Sequence, residues 1–471
     1  MAFFSDLWNR VWTSILDNRN KLTATGGFLL GIIATLGFKD FYPDLENSFR
    51  QRLGRLREQD IVRSLPTDSD YVRLEDHTGR RPSLIATDAK DARRSVQDDV
   101  RVGVEGLIGN TPLIKLKSLS DATGCEILAK AEYLNGAGNS PKDRVALSII
   151  NLAEEEGLLK PGRGDTIYEG TVGSTGISLA AVCQARGYKA YMYVILYPDK
   201  QSDVSDQCRC MPDDQAVEKS DLLLKLGAQV ERVRPAPIVD QNQFVNLARR
   251  RAEEHTADKS KPGRGFFADQ FENTANYLAH QNTTGPELFR QTNGHMNAFV
   301  AGAGTGGTIS GVALALKPKL PGLKVVLADP QGSGLYNKIK YGVMFSPTEA
   351  EGTRRRHQVD SVVEGVGITR LTANFNAGMH LVDDAIKVTD EQAMLMARWL
   401  VEKEGLFVGA SSAVNCVAGA QVAKGLEKGS RIVTVLCDSG TRHLSRFWKE
   451  AGALGDEHGA PKSLEEILAM K

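Results

Sequence analysis

The chain has 471 residues, of which 41% are apolar and 25% charged, so it has a globular composition and is long enough for two or more domains. Lys plus Arg and Asp plus Glu each number 58, and this neutral balance gives no electrostatic reason to expect a nucleic acid as a partner. Six scattered cysteines exclude a disulfide scaffold. Because no second pair at zinc spacing accompanies Cys208 and Cys210, we expect free thiols and no metal site.

The N-terminal segment 1–40 contains an uncharged apolar stretch at 22–38. As a helix, this stretch would be about 26 Å long, close to the hydrocarbon thickness of a bilayer. Basic residues flank it on both sides, at Lys21 and Lys39. We therefore expect a membrane anchor, with a buried helix as the alternative. Residues 41–100 are rich in charge and are predicted to form a solvated linker.

Residues 101–460 alternate short apolar runs with helical patterns, which predicts an α/β region with mainly parallel sheets. The runs at 190–196, 296–301, 324–329 and 431–438 have the composition of strands.

A glycine-rich loop follows the run at 296–301. Its glycines let main-chain N–H groups approach a bound anion, and the helix expected to begin near Thr308 adds the positive end of its dipole. Gly302, Gly304 and Gly307 also fit a dinucleotide-binding pattern, and Asp329 ends a strand about 20 residues later. The loop alone leaves both a simple phosphate and a nucleotide open.

Three further segments carry chemical groups. EGTVGSTGISLA (169–180) places hydroxyls and free N–H groups at a helix start, where a carboxylate would bind. Lys142 lies at the start of another helix, whose dipole would lower the pKa of the amine and favour its nucleophilic form. Ser439 follows a buried strand, at the sheet edge where parallel sheets bind ligands.

Seven segments resemble, in sequence and in order along the chain, the motifs of the fold-type II pyridoxal-phosphate enzymes. Within that family they are most similar to the cysteine synthases and cystathionine β-synthases. They are LIGNTPLIKL (107–116), SPKDR (140–144), EGTVGSTGISLA, DQFEN (269–273), GAGTGGT (302–308), EGVG (364–367) and DSGTRHLS (438–445). The resemblance covers about residues 103–450. It implies bound pyridoxal 5'-phosphate and two three-layer αβα domains with mainly parallel sheets, in addition to the predicted transmembrane helix.

The resemblance also implies a domain plan and a location. A smaller mobile subdomain would occupy about 138–285, and a larger one the remainder of 101–460. Fungal mitochondrial cysteine synthases have a similar N-terminal extension, which implies a mitochondrial protein anchored in the outer membrane. The family further implies a homodimer.

Residue by residue, the resemblance makes Lys142 the Schiff-base lysine and the group that removes the substrate α-proton. The other cofactor-binding residues it implies are Ser174, Gly304, Thr305, Gly306, Gly307, Thr308 and Ser439. The substrate-binding residues it implies are Thr171, Gly173, Thr175, Gln270 and Gly365.

The implied reaction converts O-acetyl-L-serine and sulfide into L-cysteine and acetate through an aminoacrylate intermediate. One alternative is a related lyase, such as a cysteine desulfhydrase or serine dehydratase, which shares that intermediate. Another is a catalytically weak membrane-bound scaffold, because Val172 and Ser174 stand where the family usually has Ser and Asn. A nicotinamide enzyme is disfavoured, since it would leave Lys142 and Ser439 without roles.

Overall fold

The computed structural model describes residues 100–171, 173–195, 221–233, 240–344, 361–458 and 463–470. The predicted anchor at 22–38, the charged linker before Val100 and Val172 lie outside this part of the chain. Within the described ranges, no helix is long and apolar enough to cross a membrane. Arg101–Lys471 forms one compact unit.

The larger of two sheets has six strands, of which all but one edge strand are parallel to their neighbours. In spatial order they are β1 (Leu113–Lys115), β2 (Glu126–Ala131), β10 (Arg431–Leu436), β7 (Ala298–Gly302), β8 (Lys324–Pro330) and β9 (Asp384–Val388). The antiparallel edge strand is β1. The strands predicted at 296–301, 324–329 and 431–438 are confirmed, with ends that differ by one or two residues.

The smaller sheet has four strands, all parallel. In spatial order they are β5 (Gln229–Val233), β4 (Lys189–Ile195), β3 (Thr166–Gly170) and β6 (Gly265–Phe267). β4 confirms the strand predicted at 190–196. All four strands lie between residues 166 and 267, inside the range predicted for the smaller subdomain, whose mobility stays a prediction.

Helices flank these strands along the chain. The α-helices with defined bounds are α1 (Lys117–Thr123), α2 (Lys142–Glu155), α3 (Ser174–Arg186), α4 (Phe244–Ala257), α5 (Ala275–Ala279), α6 (Gly285–Gln291), α7 (Gly307–Leu316), α8 (Leu335–Tyr341), α9 (Ala373–Gly378), α10 (Asp390–Glu404), α11 (Ala410–Lys424), α12 (Lys449–His458) and α13 (Leu464–Ala469). Local sequence explains several of their ends. Thr389 and Gln392 form a capping box at the start of α10, and Gly405 ends that helix in the left-handed conformation.

Both faces of each sheet are covered because successive strand side chains point in opposite directions. In the larger sheet, Val300 packs in a core with α10 and α11, while its neighbour Phe299 packs in a second core with α7. In the smaller sheet, Ile167 joins a core with α2 and α3, while Tyr168 joins one with α4. The predicted α/β fold with mainly parallel sheets is confirmed.

The carboxyl ends of four strands lead into the segments that the sequence singled out. β2 precedes the turn before Lys142, and β3 precedes Thr171. β7 precedes the glycine loop, and β10 precedes Ser439. Parallel sheets bind ligands at this edge of their strands, so the topology explains how segments far apart in sequence serve one site.

Candidate active site

Lys142 is the first residue of α2, as predicted. Its amine has no hydrogen-bonding or ionic partner among the described residues, and the backbone N–H donates to Ser140 Oγ (3.3 Å). Burial lowers the pKa of the Lys142 amine, while Cys437 and Asp438 act in the opposite direction. The predicted direction of the pKa shift is therefore right, but burial rather than the helix dipole is its main cause. Burial therefore favours the neutral form of the amine.

Asp143 fixes the turn that precedes Lys142. The buried carboxylate accepts hydrogen bonds from the N–H groups of Ala137 (3.0 Å) and Gly138 (2.7 Å). It also accepts one from Ser178 Oγ (2.6 Å), which lies on α3. These contacts attach the lysine-bearing turn to the neighbouring helix. Sequence reasoning gave Asp143 no role because its partners cannot be read from the local motif.

Four buried charges surround the first turn of α2, and we call them the charge cluster (Lys130, Glu132, Arg144 and Glu287). Arg144 donates to Glu132 Oε2 (2.8 Å) and to Glu287 Oε1 (2.6 Å), and Lys130 donates to Glu287 Oε2 (2.6 Å). Burial alone would raise the pKa of Glu132, but Arg144 outweighs it and lowers that pKa to about 2. Two cations therefore balance two anions and join α2 to β2 and α6.

The carboxylate loop (171–175) contains the residues that the resemblance assigns to the substrate. Thr171 Oγ1 accepts from the N–H groups of Gly173 (3.2 Å) and Gly176 (3.4 Å). Thr175 Oγ1 donates to Gln270 Oε1 at 2.5 Å. The structure thus brings Thr171, Thr175 and Gln270 together. Ser174 starts α3 and is partly exposed, and its carbonyl accepts from Ser178 Oγ (2.9 Å).

Glu169, the last side chain before this loop, was missed by the sequence reasoning. It is fully buried, and its carboxyl oxygens lie 3.3 Å from the backbone nitrogen and 3.4 Å from the Nε2 of Gln270. Burial, with a smaller contribution from the negative charge of Asp269, raises the pKa of Glu169 to about 8. At neutral pH the Glu169 carboxyl beside the carboxylate loop is therefore mainly uncharged.

The phosphate loop (304–308) leads into α7, which has no side-chain cap. The first N–H groups of a helix have no acceptor within the helix, so this end is suited to an anion. Gly306 has a φ of +84°, and a Cβ there would lie 2.4 Å from the Cβ of Phe375. Thr305 is buried, and Thr308 Oγ1 lies 3.2 Å from His280 Nε2. The loop offers main-chain donors and two hydroxyls.

The EGVG segment (364–367) lies directly against the phosphate loop. A Cβ on Gly304 would lie 2.2 Å from the carbonyl oxygen of Gly365, whose φ is +85°. The N–H of Gly367 donates to Ala303 O (2.8 Å). Close backbone approach thus requires glycine at residue 304, and the left-handed φ favours glycine at residue 365, which the repeated glycines of the sequence had only suggested.

Ser439 follows β10 and is partly exposed. Its Oγ accepts from the N–H (3.3 Å) and the hydroxyl (3.1 Å) of Thr441. The preceding residue, Asp438, lies 3.0 Å from Nε2 of the buried His443. Asp438 also acts on the amine of Lys142, so the structure brings the Ser439 turn close to the lysine.

Asp329, the acidic residue of the dinucleotide alternative, is fully buried. Its Oδ2 accepts from the N–H of Tyr336 (2.7 Å) in the first turn of α8, and burial raises the pKa of Asp329 to about 7. A ribose could not reach this carboxylate. The glycine pattern therefore lacks the acidic partner that a nicotinamide cofactor would use.

Comparison with known proteins decides between the two interpretations of the glycine loop. The family model described as pyridoxal-phosphate dependent enzyme matches residues 104–438, more than two thirds of the chain. The chain belongs to this family of pyridoxal-phosphate enzymes.

The relatives of this pyridoxal-phosphate enzyme include fungal proteins of nearly the same length. Cysteine synthase 2 of Neurospora crassa is 57% identical, with 94% of this chain and 95% of that protein covered. Cysteine synthase 2 of Emericella nidulans is 55% identical, with 97% and 99% covered. Among solved structures, O-ureido-L-serine synthase superposes with a TM-score of 0.60 at 28% identity, covering 79% of this chain and all of that one.

The residues of this pyridoxal-phosphate enzyme fit the cofactor. A partnerless amine of lowered pKa is available for its aldehyde, at Lys142. An uncapped helix start is available for its phosphate, and side chains at Gly304 and Gly306 would collide with the neighbouring backbone or with Phe375. A hydroxyl, Ser439, follows the adjacent strand β10. The donor set therefore matches the three polar ends of the cofactor.

Proposed function

We propose that this chain is a cysteine synthase that converts O-acetyl-L-serine and sulfide into L-cysteine and acetate. The observation that carries the proposal is the partnerless amine of Lys142, whose pKa is lowered by burial, near the carboxyl ends of the parallel strands. The names of relatives that are 55% and 57% identical over nearly the whole chain support the reaction. When bound, pyridoxal phosphate supplies a conjugated ring that withdraws electrons from the substrate Cα.

In this proposal Lys142 has two roles. Its amine would hold the cofactor through the aldehyde, and the same amine would take the α-proton of a bound substrate. Departure of acetate then breaks the Cβ–O bond, and sulfide forms the new Cβ–S bond. Lys142 finally returns a proton to Cα. The lowered pKa favours the first transfer because an ammonium could not act as a base.

The remaining residues bind and orient. Thr171, Thr175 and Gln270, with the backbone of Gly173, hold the substrate carboxylate, since their donors converge around one loop. Gly365 lies beside the substrate amine. The cofactor-binding residues in this proposal are Ser174, Gly304, Thr305, Gly306, Gly307, Thr308 and Ser439.

A serine at the pyridine nitrogen has a chemical consequence. Ser439 would offer that nitrogen a neutral hydroxyl in place of an aspartate, so the bound ring would be a weaker acceptor of negative charge. This favours loss of the β-substituent over transamination. The proposed role of Ser439 and the proposed reaction therefore support each other.

Product analysis tests the proposal. The purified full-length chain is incubated with O-acetyl-L-serine and sulfide, and cysteine, acetate and pyruvate are measured. Equal amounts of cysteine and acetate are expected. Pyruvate in place of cysteine would show a lyase, and neither product would show a scaffold with the same fold.

We also propose that residues 22–38 anchor the enzyme in a mitochondrial membrane, the outer membrane being the expected one. The uncharged stretch with flanking Lys21 and Lys39 supports the anchor. The name of a Saccharomyces cerevisiae relative, 54% identical over 369 residues, assigns that protein provisionally to mitochondria. Deletion of residues 1–40 is expected to move the protein from the membrane pellet to the supernatant with its activity intact. A truncated protein that stays in the pellet would overturn the anchor.

The domain plan belongs to the same proposal. The fold-type II arrangement would pair a smaller subdomain at 138–285, able to move, with a larger one, and two copies would form a homodimer. The placement of β3, β4, β5 and β6 within that range supports the division.

A further inference from the structure

Asn276 lies between the carboxylate loop and the phosphate loop, and neither the sequence motifs nor the proposed mechanism gives it a role. It belongs to α5 and is only 1% exposed. Its Nδ2 donates one hydrogen bond to the carbonyl oxygen of Gln270 (2.7 Å) and another to Thr305 Oγ1 (2.9 Å). A primary amide nitrogen has two hydrogens, so this group is fully used by the two contacts.

Each acceptor belongs to a different ligand site. Gln270 is held by Thr175 at the carboxylate loop, through the 2.5 Å bond to its Oε1. Thr305 belongs to the phosphate loop, and its hydroxyl accepts from Asn276 through the oxygen. The hydroxyl proton of Thr305 is therefore left to donate to an anion. A chain of hydrogen bonds runs from Thr175 to Thr305 with Asn276 as the link.

Close packing fixes the Asn276 side chain in place. Its Oδ1 is buried, has no hydrogen-bond partner among the described residues, and lies 1.9 Å from the position that a Cβ on Gly307 would occupy. Only glycine at the start of α7 leaves room for this amide. The amide has little freedom to turn, so a shift of Gln270 changes its geometry toward Thr305.

We propose that Asn276 is a positioning residue that couples binding of the substrate carboxylate to the affinity of the phosphate loop for the cofactor. This inference rests on the proposed carboxylate and phosphate sites. A carboxylate that orders Gln270 also orders the amide of Asn276, and the cofactor phosphate then meets a Thr305 hydroxyl that is already oriented. Linkage makes the effect reciprocal, so the cofactor strengthens carboxylate binding by the same factor.

Asn374 provides a matched control. It is also fully buried, and its Nδ2 also donates to the carbonyl oxygen of Gln270 (3.2 Å), but its other contact is Phe271 O (2.7 Å). Its Oδ1 accepts from the N–H of Tyr277 (3.1 Å). Asn374 therefore contacts Gln270 of the carboxylate site, as Asn276 does, but makes no hydrogen bond to Thr305 of the phosphate loop.

The experiment measures cofactor affinity with and without a carboxylate. Holoenzyme is diluted stepwise, and the bound cofactor is followed by its visible absorbance, in buffer alone and with saturating propionate, which has no amine to compete with Lys142. In the wild type and in Asn374→Leu, propionate is expected to tighten cofactor binding by about 5-fold, at the lower end of typical coupling factors. In Asn276→Leu the factor is expected to fall below about 2.

Thr305 variants test the same bond from its other end. Thr305→Ser keeps the hydroxyl and is expected to keep the coupling factor, whereas Thr305→Val removes the acceptor and is expected to lose it. This pair decides the question if Asn276→Leu does not fold. Full coupling in both Asn276→Leu and Thr305→Val would overturn this inference and leave the proposed reaction intact. A wild type whose cofactor affinity does not respond to propionate would overturn this inference alone, and one that binds no cofactor would overturn both.

Discussion

The charge cluster holds the helix that Lys142 begins, the carboxylate loop leads into the neighbouring helix α3, and the two regions are built on opposite principles. The charge cluster consists of four ionised side chains whose contacts are between 2.6 and 2.8 Å. The carboxylate loop consists of neutral groups, namely the hydroxyls of Thr171 and Thr175 and the amide of Gln270. The neighbouring carboxyl of Glu169 has a pKa raised to about 8.

The difference follows from what each region has to do. Buried ion pairs are costly to separate, so they suit the helix that must hold Lys142 in one position. Neutral hydrogen bonds exchange at little cost, so the donors of the carboxylate loop can adjust to a substrate carboxylate. The molecule places its strongest interactions where motion would be harmful and its weaker ones where partners must change.

The largest effect on activity is expected at Lys142. Lys142→Ala should abolish the visible colour of the cofactor and lower cysteine formation by about 10³-fold or more, because no amine remains to bind the aldehyde or move the α-proton. Absorbance and product analysis measure this. The exposed Lys117→Ala serves as the control and should retain both properties. Colour that persists in Lys142→Ala would contradict the assignment.

Removing one member of the charge cluster should greatly lower the stability of the folded protein. Arg144→Met leaves two buried carboxylates without their main partner and should lower the free energy of unfolding by about 3–5 kcal/mol. Urea denaturation measures the change. Arg251→Met removes an exposed pair with Glu254 and should cost at most about 0.5 kcal/mol. Equal losses in the two variants would show that the cluster does not anchor α2.

The carboxylate loop should respond to pH through Glu169. The pKa of Glu169 is about 8 in the folded protein and 4.5 ordinarily. The contribution of this carboxyl to the free energy of unfolding of the wild type is therefore complete below about pH 4.5 and is lost as the pH rises through 8. Glu169→Gln cannot titrate. The stability of this variant relative to wild type should therefore increase by roughly 3–4 kcal/mol between pH 5 and pH 8. Denaturant melts at both pH values measure the difference, and a constant difference would refute the buried neutral carboxyl.

The smallest effect is expected from loss of the Thr175 hydroxyl in the carboxylate loop. Thr175→Val removes one donor to the substrate carboxylate and should raise the KM for O-acetyl-L-serine roughly tenfold, which corresponds to about 1.4 kcal/mol. Thr175→Ser keeps the hydroxyl and should stay near the wild-type KM. Steady-state kinetics measure both variants. A KM unchanged in Thr175→Val would remove this residue from the carboxylate site.

Sequence patterns predicted the parts of the fold that depend on neighbouring residues. The strands β4, β7, β8 and β10 are short runs rich in apolar residues, and Lys142 starts its helix as expected. The glycine loop and the carboxylate loop were found for the same reason. Each is a short segment whose chemistry is evident without its partners.

The supporting residues could not be predicted because their partners are distant in sequence. Asn276 reaches Thr305 across 29 residues, Gln270 reaches Glu169 across 101, and Arg144 reaches Glu287 across 143. Nothing in the local pattern distinguishes a buried glutamate from an exposed one. The cause of the Lys142 pKa shift was misjudged for the same reason, since burial is a property of the whole fold.

The contact between Gly304 and Gly365 affects how this enzyme could be redesigned. A Cβ on Gly304 would lie 2.2 Å from the carbonyl oxygen of Gly365, so residue 304 cannot accept a side chain without separating the backbones. A Cβ on Gly365 would meet only Ser411 Oγ, at 4.0 Å, and the constraint there is the left-handed φ of +85°. Attempts to change substrate scope therefore have to preserve Gly304, whereas residue 365 has room for a small side chain at the cost of backbone strain.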